Sequence, residues 1–190
     1  GGLNAYNQHT GLFQHLSTTN GKKVVSITEF SPEKLLISCF NDGLYIFDKR
    51  TAKLTSFLLI DNHTTRKEFT QGDLINLYAT SDEIYIFGSN IYVYNRHTQH
   101  TKQLPIPSHL DRESFIHAQP IHADNQYIYI LSYKSLLQIE KTSKNITQLF
   151  GVSDDESLSS ACIDNQGKFW IGSNYALYHY NAASQQAEKI

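Results

Sequence analysis

The sequence predicts an all-β chain, a segment of a β-propeller built from four-stranded antiparallel blades, and three observations predict it. The phrase "LYIFDKRTAKLTSF" at residues 44–57 recurs in altered form as "LNAYNQHTGLFQHL", "IYVYNRHTQHTKQL", "LLQIEKTSKNITQL" and "LYHYNAASQQAEKI". The polar residues closing its first half, Asn7, Asp48, Asn95, Glu140 and Asn181, lie 41, 47, 45 and 41 residues apart. A second column, Ile37, Ile86, Ile130 and Ile171 in "LISC", "YIFG", "YILS" and "WIGS", keeps the same register upstream. Such a period marks stacked units, each of which buries its apolar faces only against its neighbours.

Each unit offers four strands, called first to fourth here. The first comes from "VVSITEF", "LINLYAT", "AQPIHAD" and "SSACIDN", each followed by a short turn such as "SPEK", "SDE", "DNQ" or "NQGK". The isoleucine runs supply the second strand. Strands joined by short Gly, Asn, Asp, Ser and Pro turns suit an antiparallel meander, and four per unit make a propeller blade. The third strand is apolar on both faces: Leu44 and Ile46 alternate with Tyr45 and Phe47, as a sheet covered on both sides requires. The fourth is more polar, as in "HTKQLPI" and "AASQQAEKI". Asp48, Asn95 and Asn181, with Thr51, Thr98 and Ser184 three residues on, are suited to bond backbone groups of the turn between third and fourth strands.

The expected organisation is one partial propeller domain over residues 1–190, with a half-blade at 1–16 and blades at about 24–60, 74–106, 115–150 and 158–190. The opening half-blade has only third and fourth strands. An open arc would expose apolar faces at both ends. The chain is therefore expected to be about four and a half blades of a seven-bladed propeller, completed by blades elsewhere in a longer precursor.

Composition narrows the function. A net charge of -2 with no Lys/Arg run disfavours nucleic acid, whose affinity comes from neutralised phosphates. No apolar run reaches the roughly 18 residues of a spanning helix, so no direct membrane insertion is expected of this segment. Cys39 and Cys162 read as small core residues. No nucleophile elbow, zinc spacing or calcium-loop spacing stands out, so neither catalysis, a metal nor a cofactor is expected.

The unit "IDNQGKFWIGSNYALYHYN" at residues 163–181 resembles the repeat of two-component regulator propellers. Asp164, Gly167, Trp170, Ile171, Gly172, Leu177, Tyr178, Tyr180 and Asn181 fit that pattern, with Ser173 and Ala176 replacing its Thr and Gly. "FNDGLYIFDKRT" at residues 40–51 fits its later half. The resemblance implies the periplasmic sensor region of a hybrid two-component histidine kinase, the outer part of an inner-membrane protein. It further implies an oligosaccharide ligand, a homodimeric receptor and control of genes for carbohydrate use. A protein-interaction propeller without a small ligand is the alternative, and a propeller lyase or glycosidase a third reading.

Strands committed to packing leave function to the loops. In this fold the usual ligand face carries the second-to-third loops and the loops linking successive blades. Sugar recognition needs amides and carboxylates for hydroxyls and an exposed ring for the sugar's apolar face. The second-to-third loops place Asn41, Asp42, Asn90, Tyr133, Lys134, Asn174 and Tyr175 there as candidates. Arg66 and Arg112, in the linking loops 61–73 and 105–114, would suit an acidic sugar. The linking loop at 151–157, "GVSDDES", completes the face.

Overall fold

The computed structural model describes residues 2–61, 65–67, 75–110, 115 and 117–190, of which 60, 61 and 65–67 are described by backbone alone. The chain divides into two compact units, Gly1–Gln103 and Leu104–Ile190. Among the described residues the regular structure is β apart from a short 3-10 turn at Ser17–Thr19 and 3-10 conformation at Phe115 and His117.

The first unit begins with a two-stranded sheet, β1 (Leu3–Asn7) on β2 (Leu12–Leu16), paired antiparallel. A four-stranded meander follows: β3 (Val24–Ser31), β4 (Lys34–Cys39), β5 (Gly43–Asp48) and β6 (Lys53–Ser56), in that spatial order. The next elements are β7 (Leu59–Asp61), β8 (Thr65–Lys67), β9 (Asn76–Ala79), β10 (Glu83–Phe87), β11 (Ile91–Asn95) and β12 (Thr101–Leu104). They form one sheet of order β8-β7-β12-β11-β10-β9. Its last four members are the expected blade. The β7–β8 hairpin extends the outer edge through a parallel pairing of β7 with β12. Part of the 61–73 stretch read from sequence as a linking loop is thus strand, anchored by Leu59, which is buried in the core.

In the first unit the second strands of the four-stranded blades are deeply buried. Leu36 to Cys39 on β4 and Ile84 to Phe87 on β10 are inaccessible or nearly so. The two sheets meet along β3 and β9. Ser38, fully buried, donates its hydroxyl to the Ile75 carbonyl at 2.5 Å and accepts the Ser26 N–H at 3.0 Å. The Leu77 N–H in turn reaches the Ser26 hydroxyl at 3.1 Å. Serine is used here because a small hydroxyl supplies a partner to backbone groups that tight sheet packing would otherwise bury unpaired. Phe30, Phe57 and Tyr94 close one end of this seam, their ring centroids 5.4 to 5.6 Å apart. The Arg96 guanidinium donates to the carbonyls of Phe30 and Glu29.

The second unit contains two four-stranded meanders. One is β13 (Gln119–Ala123), β14 (Tyr127–Leu131), β15 (Ser135–Glu140) and β16 (Ile146–Gly151). The other is β17 (Leu158–Ile163), β18 (Phe169–Ser173), β19 (Leu177–Asn181) and β20 (Gln186–Lys189). They pack through β13 and β14 against β17, around Leu131, Leu136, Leu158, Phe169, Ile171 and Tyr180. Cys39 lies in the core of its unit, whereas Cys162 is exposed. On β17 the residues beside it, Ala161 and Ile163, take the packed face, so the alternation of a strand turns Cys162 outward.

The closing polar residue does the expected work in four of the five repeats, whereas Glu140 accepts the Ser143 hydroxyl of its turn instead. The side-chain oxygens of Asn7, Asp48, Asn95 and Asn181 each accept two N–H groups of their own turn, from the residues two and three further on. Four residues after each closing position, Gly11, Ala52, Gln99, Lys144 and Gln185 all have positive φ, between 53° and 69°. This is one turn made five times, a tight hairpin whose last loop residue takes the left-handed conformation before the outer strand begins. The turn after β17 is built similarly: Asp164 accepts the N–H groups of Gln166 and Lys168, and Gly167 has φ 77°. A Cβ at Gly172 on β18 would meet the Ser160 hydroxyl at 2.8 Å, so that hydroxyl would have to turn aside.

Candidate functional site

The loops joining second to third strands lie at one end of each sheet, and in the second unit the described linking segment 152–157 lies with them. In the first unit the β4–β5 connection holds Asn41 and Asp42, both exposed. Asn41 has φ 58°, a conformation that Asn tolerates better than most side chains. The Asp42 carboxylate pairs with the Lys22 ammonium at 2.5 Å and accepts the Tyr45 phenol at 2.8 Å. The bond from Lys22, then that from Tyr45, hold the Asp42 carboxyl below its ordinary range. Lys22 also lies 4.0 Å from the centroid of the Tyr45 ring, and Lys23 lies 4.6 Å from that of Phe40. In the β10–β11 connection Asn90 accepts from the Gln103 side chain at 3.0 Å.

In the second unit Tyr133 and Lys134 occupy the β14–β15 connection, and Asn174 and Tyr175 the β18–β19 connection. The linking segment 152–157 runs between them and is tied to both. The Lys134 ammonium donates to the carbonyls of Ser153, Asp154 and Glu156, at 3.2, 2.7 and 2.5 Å. The Leu158 N–H donates to the Tyr133 carbonyl at 2.8 Å, and the Val152 N–H to that of Lys134 at 3.1 Å. Asn174 exchanges two bonds with Ser157: its side-chain oxygen accepts the Ser157 N–H at 2.8 Å, and its own N–H reaches the Ser157 carbonyl at 3.0 Å.

Glu156 lies inside this arrangement. It is buried, and its carboxylate accepts the hydroxyls of Ser173 and Tyr178. The Ser173 bond foremost, with that of Tyr178, holds its carboxyl below the ordinary range. An ammonium and a carboxylate two strands apart thereby fix the linking segment from opposite sides. Two aromatic side chains are left facing solvent, Tyr133 at 47% and Tyr175 at 64% exposure. The Tyr133 ring lies 6.0 Å from that of His117. Beside the β14–β15 loop is a cavity of about 240 Å³, floored by Leu110, Phe115 and Leu137 and rimmed by His109, Gln148 and Asp154.

Of the residues singled out from sequence, Asn41 with Asp42 come together in the first unit. Tyr133, Lys134 and Asn174 come together in the second through the 152–157 segment. Asp42, Asn90, Lys134 and Asn174 all have partners within the fold. Of Arg66 only the backbone, in β8, is described, and Arg112 lies outside the described residues. Sequence reading did not single out Lys22, Glu156, Ser173 or Tyr178 as site residues, although it put the 151–157 segment that holds Glu156 on this face. For Glu156 the signal was its place directly before the first strand of a repeat, in the position of a linking loop.

No family model matches the sequence, and no curated protein does. Solved structures do. The whole chain superposes, with a TM-score of 0.74 and 22% identity, on 25% of an extracellular domain assigned to the hybrid two component system BT4673 from B. thetaiotaomicron. Over 90% of its length it superposes on 25% of the corresponding domain of system BT3049 from the same organism, with a TM-score of 0.66 and 16% identity. A virginiamycin B lyase from Staphylococcus aureus matches the whole chain over 58% of its own, with a TM-score of 0.62 and 15% identity. The chain thus spans a quarter of the length of the two extracellular domains. At these identities the likeness establishes the fold, a segment of β-propeller blades.

Proposed function

We propose that the chain is a non-enzymatic, ligand-sensing segment of the extracytoplasmic part of a hybrid two-component sensor histidine kinase. Its ligand is an oligosaccharide, and its output controls genes for carbohydrate use. The observation that carries this reading is the superposition of the entire chain on an extracellular domain of such a system. The repeat at residues 163–181, read from the sequence independently, points to the same class of receptor.

The site proposed for the ligand is the loop face bearing Asn41, Asp42, Asn90, Tyr133, Lys134, Asn174 and Tyr175, with Arg66 and Arg112 from the linking segments. Exposed Tyr133 and Tyr175 are the stacking groups, since a ring face is what a sugar's carbon face packs on. Lys134 and Asn174 serve by holding the loops that present them. Ligand binding signals by favouring one arrangement of a dimeric receptor, which requires different affinity for the two arrangements.

Further blades of the same precursor complete the propeller in this reading. Exposed Tyr6, Leu12 and Phe13 support it, with the Tyr6 and Phe13 rings 4.8 Å apart on the open face of the two-stranded sheet. Calorimetry of the protein against a panel of polysaccharide digests tests the function. Saturable heat with one digest is expected; binding of a protein partner with no response to any digest would overturn it in favour of an interaction scaffold.

A further inference from the structure

We propose that the cavity beside the β14–β15 loop is a subsite for one neutral, hydroxyl-rich ring, the end residue of an uncharged glycan, and that it discriminates against a uronic acid. The proposal rests on the sensor reading above and specifies the chemistry of its ligand. At about 240 Å³ the cavity is below the several hundred Å³ of typical drug-sized pockets, which suits a single ring and not a chain.

Its two surfaces differ in the way a sugar ring requires. Leu110, Phe115 and Leu137 form a buried apolar floor for the ring's carbon face. At the rim, the side chains of His109, Gln148 and Asp154 have no hydrogen-bond partner among the described residues. They offer an imidazole, an amide and a carboxylate, a mixed set of donors and acceptors that matches hydroxyls, each of which both donates and accepts.

The bonding at the rim, more than its charge, works against the acidic alternative. Lys134 lines the cavity, but an ammonium has three donors, and all three are directed at the carbonyls of Ser153, Asp154 and Glu156. Recruiting it to a ligand carboxylate would strip those carbonyls of their partner and release the linking segment. The Asp154 carboxylate stands at the same rim and forms no ion pair among the described residues, since the Lys134 ammonium binds the carbonyl of that residue instead. A uronate would meet that carboxylate while the three N–H donors of Lys134 are already engaged.

Nuclear magnetic resonance of the isotopically labelled protein tests this, with neutral methyl glycosides, glucuronate, galacturonate and polysaccharide digests as probes. A neutral glycoside should shift the Gln148 side-chain amide and the Ser135 and Val152 backbone amides saturably. The uronate of matching configuration should leave them in place at the same concentration. Gln148→Ala should weaken the neutral glycoside at least fivefold while the rest of the spectrum is retained. Equal binding of the uronate overturns the proposal. So does a digest that binds saturably but shifts only other loops, in which case the sensor reading stands and the subsite alone falls. Absence of a response to every probe overturns both.

Discussion

The Tyr178 phenol on β19 lies 2.9 and 3.0 Å from the two oxygens of the Glu156 carboxylate, which the fold buries at the entrance to β17. Residues 22 positions apart in sequence are thereby joined across the end of one sheet. The bond closes a chain that runs from Lys134, through the carbonyls of 153–156, to the β18–β19 loop. A buried carboxylate is tolerated only where its oxygens are bonded, and the hydroxyls of Tyr178 and Ser173 meet that need.

This arrangement makes the unit's stability depend on pH in a defined direction. Bonding holds the Glu156 carboxyl below its ordinary value in the folded chain, while unfolding returns it to about 4.3. The ionised form is therefore favoured by folding. Its contribution is complete above the unfolded value and is lost as pH falls through the folded value. Glu156→Gln should lower the melting temperature by a few degrees at pH 7, and the gap to the parent should narrow as pH drops to 3.5. Thermal melts at the two pH values check this, and a gap that stays constant would show that the charge is not what matters.

Lys134→Met keeps the length of the side chain and removes its three bonds to the 153–156 carbonyls. The bonds to Ser153 and Asp154 are exposed and count for little, whereas leaving the part-buried Glu156 carbonyl without its partner costs about 1–3 kcal/mol. The loss should be local, with faster hydrogen exchange at the Val152 and Leu158 amides, whose acceptors lie in the Tyr133–Lys134 segment. Unchanged exchange there would mean that the backbone bonds alone hold the segment.

The repeat was legible because its determinants are local. Asn95 bonds amides two and three residues away, and the run Ile84 to Phe87 is buried by its place in the blade, so both leave a mark in sequence. Lys134 was legible as a loop residue but not in its role, since its partners are backbone carbonyls 19 to 22 residues away that any sequence would supply. The β7–β8 hairpin was missed for a related reason: it falls outside the repeat, and its pairing with β12 is with a strand some forty residues on. Cys162 was misplaced because an apolar run does not say which of its alternating positions faces the core.

Phe169 marks the contrast between core and face. It is 1% exposed, with its ring 5.1 Å from that of Tyr129, and Phe169→Ala should cost about 3–5 kcal/mol through lost burial and a residual cavity. Tyr175→Ala, on the exposed loop, should change stability by less than about 0.5 kcal/mol. Urea unfolding checks both. In the proposed sensor, only the second substitution should abolish ligand binding in a chain that remains folded.

The five repeated turns offer stability in the opposite direction. Gln99 and Gln185 are exposed and hold φ of 59° and 53°, the conformation that Gly11 adopts at the equivalent position with φ 69°. A side chain with a Cβ pays about 1–2 kcal/mol in the left-handed region. Glycine avoids that cost but gives up roughly 0.5–1 kcal/mol through its greater freedom in the unfolded chain. Gln99→Gly and Gln185→Gly should therefore each stabilise by about 0.5 kcal/mol on balance of those two terms, and their effects should add because the turns share no partner. Gln99→Val should destabilise, since branching at Cβ makes the same backbone worse. Denaturant midpoints of the three single variants and the double glycine variant decide it. A glycine variant less stable than its parent would mean that the glutamine side chain itself contributes to the turn.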